Sequence, residues 1–133
     1  MVMKSAPDGG TEPIGNRIIV LPEDPLRAEL RDPKSGFIDY VPVGSIKKGE
    51  ALATTGDAGK TIPCAICHGQ NLKGLGEIPG IVDRPATYVF RQLNDMQNGN
   101  RKGAGVELMK GVVAKLTDDD LIALAAYLGS RDP

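Results

Sequence analysis

The sequence predicts an all-α domain over residues 45–133, preceded by an extended arm over residues 1–44. Three observations lead there. Pro7, Pro13, Pro22, Pro25, Pro33 and Pro42 divide the first 44 residues so finely that no long helix can form among them. From Ser45 onward, apolar residues recur at helical spacing between Gly-rich loops. The last of these segments, ending in Leu121 to Leu128, is preceded by a Thr and three successive Asp residues, the pattern of a capped helix start. A chain of 133 residues suits one compact domain with a limited apolar core.

Taken in order, the arm holds five basic and seven acidic residues, with apolar clusters at Ile14, Ile18 to Leu21 and Phe37 to Val43. These clusters are expected to lie on a neighbouring surface or to form short strands. Ser45 is placed as the cap of a helix running to about Thr55, with Gly56 ending it. Gly49 and Ala53 give that helix a small-residue face against which a second helix can pack. Asp83 is placed as the next cap, Pro85 in the first turn, and the helix continues to about Asn98 with Val89, Leu93 and Met96 on one face and Gly99 as its terminator. In the final helix Thr117 is the cap, Leu116 staples onto Leu121, and Leu121, Leu124, Ala125 and Leu128 face inward.

Composition excludes some functions. Lys and Arg number 16 against 17 acidic residues, which is not the basic balance of a nucleic-acid protein. The longest apolar runs fall well short of the ~20 residues of a membrane span. Met1 to Gly10 lacks the apolar stretch of a secretory signal and reads as a loose terminus, compatible with a signal or anchor already removed. Aromatics make up only 4% of the chain and Trp is absent, so a large flat apolar group at the centre would supply core material that the residues do not.

The chemistry concentrates in one place. Both cysteines and the single histidine fall within Cys64, Ala65, Ile66, Cys67 and His68, the attachment motif of a c-type haem. Two thiols at this spacing form thioethers with haem vinyl groups, and the adjoining imidazole serves as an axial ligand. Three rival readings are weaker. A disulfide would close a very small loop; a redox CxxC would want a βαβ setting and leave His68 without a role; zinc would lack a fourth soft ligand.

The sixth iron position calls for a soft neutral thioether or stays open. Met1 and Met3 lie in the loose terminus, and Met96 falls on an inward helix face where core filling is its ordinary use. Met109 follows the Gly-rich stretch Gly99 to Gly105 and precedes the final helix, where a flexible segment can fold across the opposite haem face.

The CAICHG block, the PGI after it, a helix ending in NGNR, the LMK segment and the AAYL of the last helix together resemble class I cytochrome c, most of all the bacterial c4 and c553-like branch. The resemblance covers about residues 45–133. It implies an all-helical fold of three to five helices around one covalent haem c, and electron transfer between a redox-protein donor and acceptor. Carried over by residue, it makes Cys64 and Cys67 the thioether sites, His68 the proximal ligand and Met109 the distal ligand. It also gives Pro79 a carbonyl that accepts the His68 ring N–H and so tunes the ligand, the bland alternative being that Pro79 and Gly80 merely turn the chain.

Gly49 and Tyr127 match the family's crossing of first and last helices. Ala53 departs from it where an aromatic is common, and Phe37 or Tyr40 of the arm is expected to fill that gap. Arg101, with Arg91 and Tyr88 behind it, is a candidate partner for a haem propionate. Lys73, Lys102, Lys110 and Lys115 lie in segments that the family arranges around the haem edge. Because covalent haem attachment takes place outside the bacterial cytoplasmic membrane, the resemblance also implies a periplasmic or otherwise extracytoplasmic protein.

Two further functions compete with a single-haem carrier. The chain is alternatively a haem module or subunit of a larger redox complex or multihaem enzyme, its arm serving as a strap to a neighbouring haem module or for self-association. A haem enzyme or gas sensor would need an open distal site, and no second histidine exists to act there.

Overall fold

The computed structural model describes residues 12–133, so Met1 and Met3 lie outside the described residues. The arm is more structured than an extended strap. Its apolar clusters form strand β1 (Ile19–Pro22) and strand β2 (Phe37–Tyr40), which pair antiparallel with Ile19 opposite Tyr40 and Pro22 opposite Phe37. Between them sits a single helical turn, α1 (Pro25–Glu29), whose first amides at Leu26 and Arg27 donate to the Asp24 side chain. Proline suits that first turn because the missing N–H would have had no helical partner.

The remaining elements are α2 (Ser45–Thr55), α3 (Ala65–His68), the short strands β3 (Gly74–Leu75) and β4 (Ile78–Pro79), α4 (Ala86–Gln97), α5 (Ala104–Val113) and α6 (Asp118–Gly129). Residues 45–133 therefore hold five helices, and the small strand pairs are the only departure from an all-helical chain among the described residues. The fold is organised about α6. Every residue from Leu121 to Leu128 is buried, more than the one inward face that periodicity predicts. Helices α2 and α4 pack on two sides of it, and the arm passes over Ile122 and Ala126 on a third.

The crossing of α2 on α6 is a backbone contact. A Cβ on Gly49 would stand 2.0 Å from the Ala123 carbonyl oxygen and 2.7 Å from Tyr127 Cβ, closer than any side chain tolerates. Leu52 and Leu121 are wholly buried beside it, each worth about 2 kcal/mol of transfer free energy. Phe37 and Tyr40 do not fill the space next to Ala53. They are 62% and 49% exposed, because the hairpin meets the domain through Ile18 and Asp39 and leaves its aromatic rings outside.

Two expected caps are replaced by other groups. Gly44, at φ 84°, occupies the N-cap of α2, and the Ser45 hydroxyl turns back to donate to the Pro42 carbonyl at 2.6 Å. At α4 the cap position is Pro85 and not Asp83, which takes a left-handed φ of 52°. The first free amide there, Ala86 N–H, donates instead to Asp39 Oδ2 of the arm at 2.7 Å. Gly56 (φ 74°) and Gly99 (φ 73°) do end α2 and follow α4 as expected.

Asp120 has a larger role than favouring a helix end. It completes a capping box with Thr117, whose N–H donates to Asp120 Oδ2 at 2.9 Å while Asp120 N–H donates to the Thr117 hydroxyl at 3.3 Å. Its side chain is fully buried, yet Lys48 Nζ of α2 reaches Oδ1 at 2.9 Å and Lys60 of the following loop pairs with Oδ2. Burial by itself would raise its pKa, but the two ammonium groups and the Thr117 donors outweigh that and hold the carboxyl well below its ordinary value. One carboxylate thus joins α2, α6 and the loop that leads to Cys64.

Two outcomes follow. Gly49→Ala forces α2 and α6 apart and is expected to cost about 3 kcal/mol in urea unfolding. Asp120→Asn is expected to cost about 2–4 kcal/mol at neutral pH. Because the folded pKa lies below the unfolded one, Asp120 contributes fully above its unfolded pKa of ~3.9, and the contribution is lost as pH falls through and below that value. Unfolding midpoints of both proteins, measured from neutral pH to about 3, should run parallel and then begin to approach each other below about pH 4.

Candidate functional site

The site grows from the loop after α2. Asp57 (φ 44°), Ala58 (φ 55°) and Gly59 (φ 85°) are successive left-handed residues that fold the chain back on itself. Thr61 N–H then donates to the Gly56 carbonyl at 3.0 Å, and Cys64 N–H to the Ala53 carbonyl at 2.8 Å. This docks the motif on α2. The small side chain of Ala53, 1% exposed, lets that approach happen.

Cys64 has helical backbone angles and α3 continues from it, with His68 N–H bonded to the Cys64 carbonyl at 2.9 Å. Residues three and four apart on such a turn share a face, so both thiols and the imidazole project within an arc of about 100°. Cys64 is half-buried, Cys67 exposed and His68 buried, and both cysteines are free. Burial pushes the Cys64 thiol up to about 11, with the neighbouring Cys67 adding to the rise. A redox CxxC needs a thiol shifted the other way, and the local setting of one helical turn and a tight hairpin is not βαβ.

Pro79 comes to His68 through the β3–β4 hairpin. Gly74 pairs with Pro79 and Leu75 with Ile78, and Gly76 at φ 60° makes the connection. A Cβ on Gly80 would meet the Lys73 carbonyl at 2.6 Å, so the strands close only with glycine there. Pro79 therefore lies in a strand and not merely a turn, and its carbonyl oxygen stands 2.7 Å from His68 Nδ1. A carbonyl can only accept, so the ring proton belongs on Nδ1 and the lone pair on Nε2. The imidazole is held in the tautomer a metal ligand requires.

Met109 lies on α5, a regular helix where the sequence suggested a flexible segment. It is half-buried and packs against the same core as Cys64, Ala65, Ile81, Phe90, Leu93 and Met96. Met96 is half-buried on α4, on the face shared with Val89 and Leu93. Arg101 is exposed just past α4, its N–H bonded to the Asp95 carbonyl at 3.0 Å and its guanidinium to Gln92. Arg91 and Tyr88 are exposed on α4. Lys110 pairs with Glu107 at 2.7 Å, and Lys73 reaches the Pro133 carbonyl.

Several side chains that organise the site carry no readable signal. The Thr61 hydroxyl donates to the Val112 carbonyl at 2.8 Å, and Gln97 Nε2 donates to the carbonyls of Val113 (2.8 Å) and Leu116 (2.7 Å). A lone Thr in a loop and a Gln at a helix end look like ordinary surface until the fold brings them to α5. A concavity of about 730 Å³ between arm and domain, lined by Val20, Ile38, Val41, Pro85 and Ala126 among others, includes none of the motif residues.

The donor set fits a covalently attached haem: two free thiols on one turn, an imidazole with Nε2 available, and a half-buried thioether on the same core. Comparison with known proteins agrees. The family model "Cytochrome c" matches residues 46–132. Cytochrome c4 of Stutzerimonas stutzeri is 32% identical over 133 aligned residues, covering 90% of this chain and 63% of that protein. A thiosulfate dehydrogenase electron acceptor of Thiomonas intermedia is 36% identical over 100 residues, covering 73% of this chain and 46% of that one. Among solved structures, reduced recombinant cytochrome c4 from Pseudomonas stutzeri superposes with a TM-score of 0.61 at 33% identity over 70% of this chain and 51% of that one. The chain thus spans about half to two thirds of the length of these relatives. A family model over most of the chain, joined to a site with the matching donors, makes this chain a member of the cytochrome c family, whose proteins carry covalently bound haem and transfer electrons.

Proposed function

We propose that this chain is a carrier with a single haem c, bonded through Cys64 and Cys67, with His68 Nε2 and the Met109 thioether as axial iron ligands. The observation that carries this reading is the His68 Nδ1 to Pro79 hydrogen bond of 2.7 Å, one turn from two free thiols. Haem c supplies a one-electron ferric/ferrous couple when bound. The chain's own residues determine its setting. Cys64 and Cys67 tether it to α3, while Pro79 holds the imidazole proton and raises the basicity of Nε2. His/Met ligation raises the potential relative to other axial pairs and leaves no open iron position, which disfavours an enzyme or gas sensor.

Met109 is preferred over Met96 because α5 is tied by Thr61 to the very loop that delivers Cys64, whereas Met96 continues the packing row of Val89 and Leu93. Arg101 is one residue of the rim able to meet a propionate, exchanging its Gln92 contact for a charge-assisted one. Residues 45–133 form the haem domain on this reading and residues 12–44 an arm bound to it through Asp39 and Ile18. An extracytoplasmic location fits covalent haem attachment. A second reading, a subunit of a larger redox complex, draws on the similarity to the thiosulfate dehydrogenase electron acceptor of Thiomonas intermedia.

The test is the ferric absorption spectrum of the haem-loaded protein. The weak long-wavelength band of Met-to-iron charge transfer should be present, vanish in Met109→Leu and persist in Met96→Leu. The opposite pattern transfers the ligand role to Met96 and defeats the assignment. Mass spectrometry should find one haem added per chain, and none retained covalently when both Cys64 and Cys67 are Ala.

A further inference from the structure

Helix α5 is held unevenly. Its N-terminal end has no side-chain cap, since Gly103 at φ 141° occupies the N-cap, and the chain leading to it turns at Gly99, φ 73°. Along its length an added Cβ at Gly105 or Gly111 would meet nothing within 4 Å, so those positions face open space. Glu107, Leu108 and Lys110 are exposed, Leu108 by 78%, and only Val106, Met109, Val112 and Val113 turn inward. The uncapped N-terminal end is where such a helix frays first.

The other end is clamped. The final carbonyls of a helix lack backbone partners. Here Leu116 N–H turns to the Val113 carbonyl at 3.1 Å, and the Val112 carbonyl is taken by the buried Thr61 hydroxyl at 2.8 Å. The Gln97 amide nitrogen, from the end of α4, donates to both Val113 and Leu116. Three carbonyls at and just beyond the end of α5 are thus satisfied by two side chains from other elements. Thr61 lies three residues before Cys64 and Val112 three residues after Met109. One hydroxyl therefore links the loop bearing the attachment motif to the helical turn bearing the thioether.

We propose that Thr61 and Gln97 are positioning residues that clamp the C-terminal end of α5 and set how firmly Met109 is presented as a ligand. This rests on the assignment of Met109 given above. Without the clamp, α5 pivots on its Gly-rich start, and an exogenous ligand competes more easily with the thioether. A buried neutral hydrogen bond is worth enough to shift such a competition by about 5–10-fold.

The experiment titrates the ferric haem-loaded protein with imidazole and follows hydrogen exchange of the α5 amides. Thr61→Val should bind imidazole about 5–10-fold more tightly and lose protection in α5 but not in α6. Gln97→Leu should act in the same direction, and Thr61→Ser, which restores the hydroxyl, should behave as the parent. Ile122→Ala, which loosens the core away from α5, should leave imidazole affinity unchanged. If Thr61→Val and Gln97→Leu bind imidazole like the parent while Met109→Leu binds it more tightly, the clamp is overturned and the ligand assignment stands. If Met109→Leu has no effect either, the ligand assignment itself has failed and takes the clamp with it. Equal tightening in Ile122→Ala would reduce the effect to general loosening and overturn the specific role.

Discussion

The backbone contact between α2 and α6 is the constraint on which the rest of the structure depends. With no side chain at Gly49, the two helices meet at the Ala123 carbonyl, and that closeness brings the far end of α2 and its loop against α6. Everything at the site is measured from there. Ala53, one turn after Gly49, offers the carbonyl on which Cys64 docks, and Lys48 and Lys60 converge on the buried Asp120 at the start of α6. The motif is held in place before any cofactor is considered.

From that frame the chemistry follows by short steps. A helical turn places two thiols and an imidazole on one side. The β3–β4 hairpin returns a carbonyl to His68 Nδ1, which decides the tautomer and frees Nε2. On the proposed ligand assignment, α5 contributes the Met109 thioether from a helix that starts uncapped and is tied at its far end by Thr61 and Gln97. The proximal side is rigid by construction and the distal side is adjustable. That asymmetry suits a carrier whose potential depends on how well one soft ligand is held.

Much of this was legible in the sequence, and the reasons differ from residue to residue. Cys64, Cys67 and His68 are readable because the chemistry needs them adjacent, so the signal is local. Helix α6 is readable because Thr117, the three aspartates and the apolar run all point the same way. Helix α5 is hidden in the sequence because the Gly-rich stretch Gly99 to Gly105 runs into its first turn, the cost of glycine being offset by Val106 and Val113 in the core. The cap at Ser45 gives way to a local turn, its hydroxyl bonding the Pro42 carbonyl, while the cap at Asp83 gives way for a tertiary reason. A free helix amide donates to whatever oxygen the fold brings near, and for α4 that oxygen comes from Asp39, 47 positions away in the chain. The expected filling of the Ala53 site by Phe37 or Tyr40 fails because the hairpin docks on the domain through Ile18 and Asp39 and leaves both rings exposed. Thr61, Gln97 and the ion pairs of Asp120 had no sequence signature at all, since each gains its role only through contacts between distant segments.

The central claim is that Met109, and not another of the four methionines, completes the iron coordination begun by His68. Its most direct test is proton and carbon NMR of the ferrous haem-loaded protein with labelled methionine methyl groups, assigned by substitution. A methyl bonded to iron lies over the haem face and is displaced far upfield by the ring current. The account predicts that the Met109 methyl alone shows this displacement. A displaced Met96 methyl, or none displaced, would contradict it.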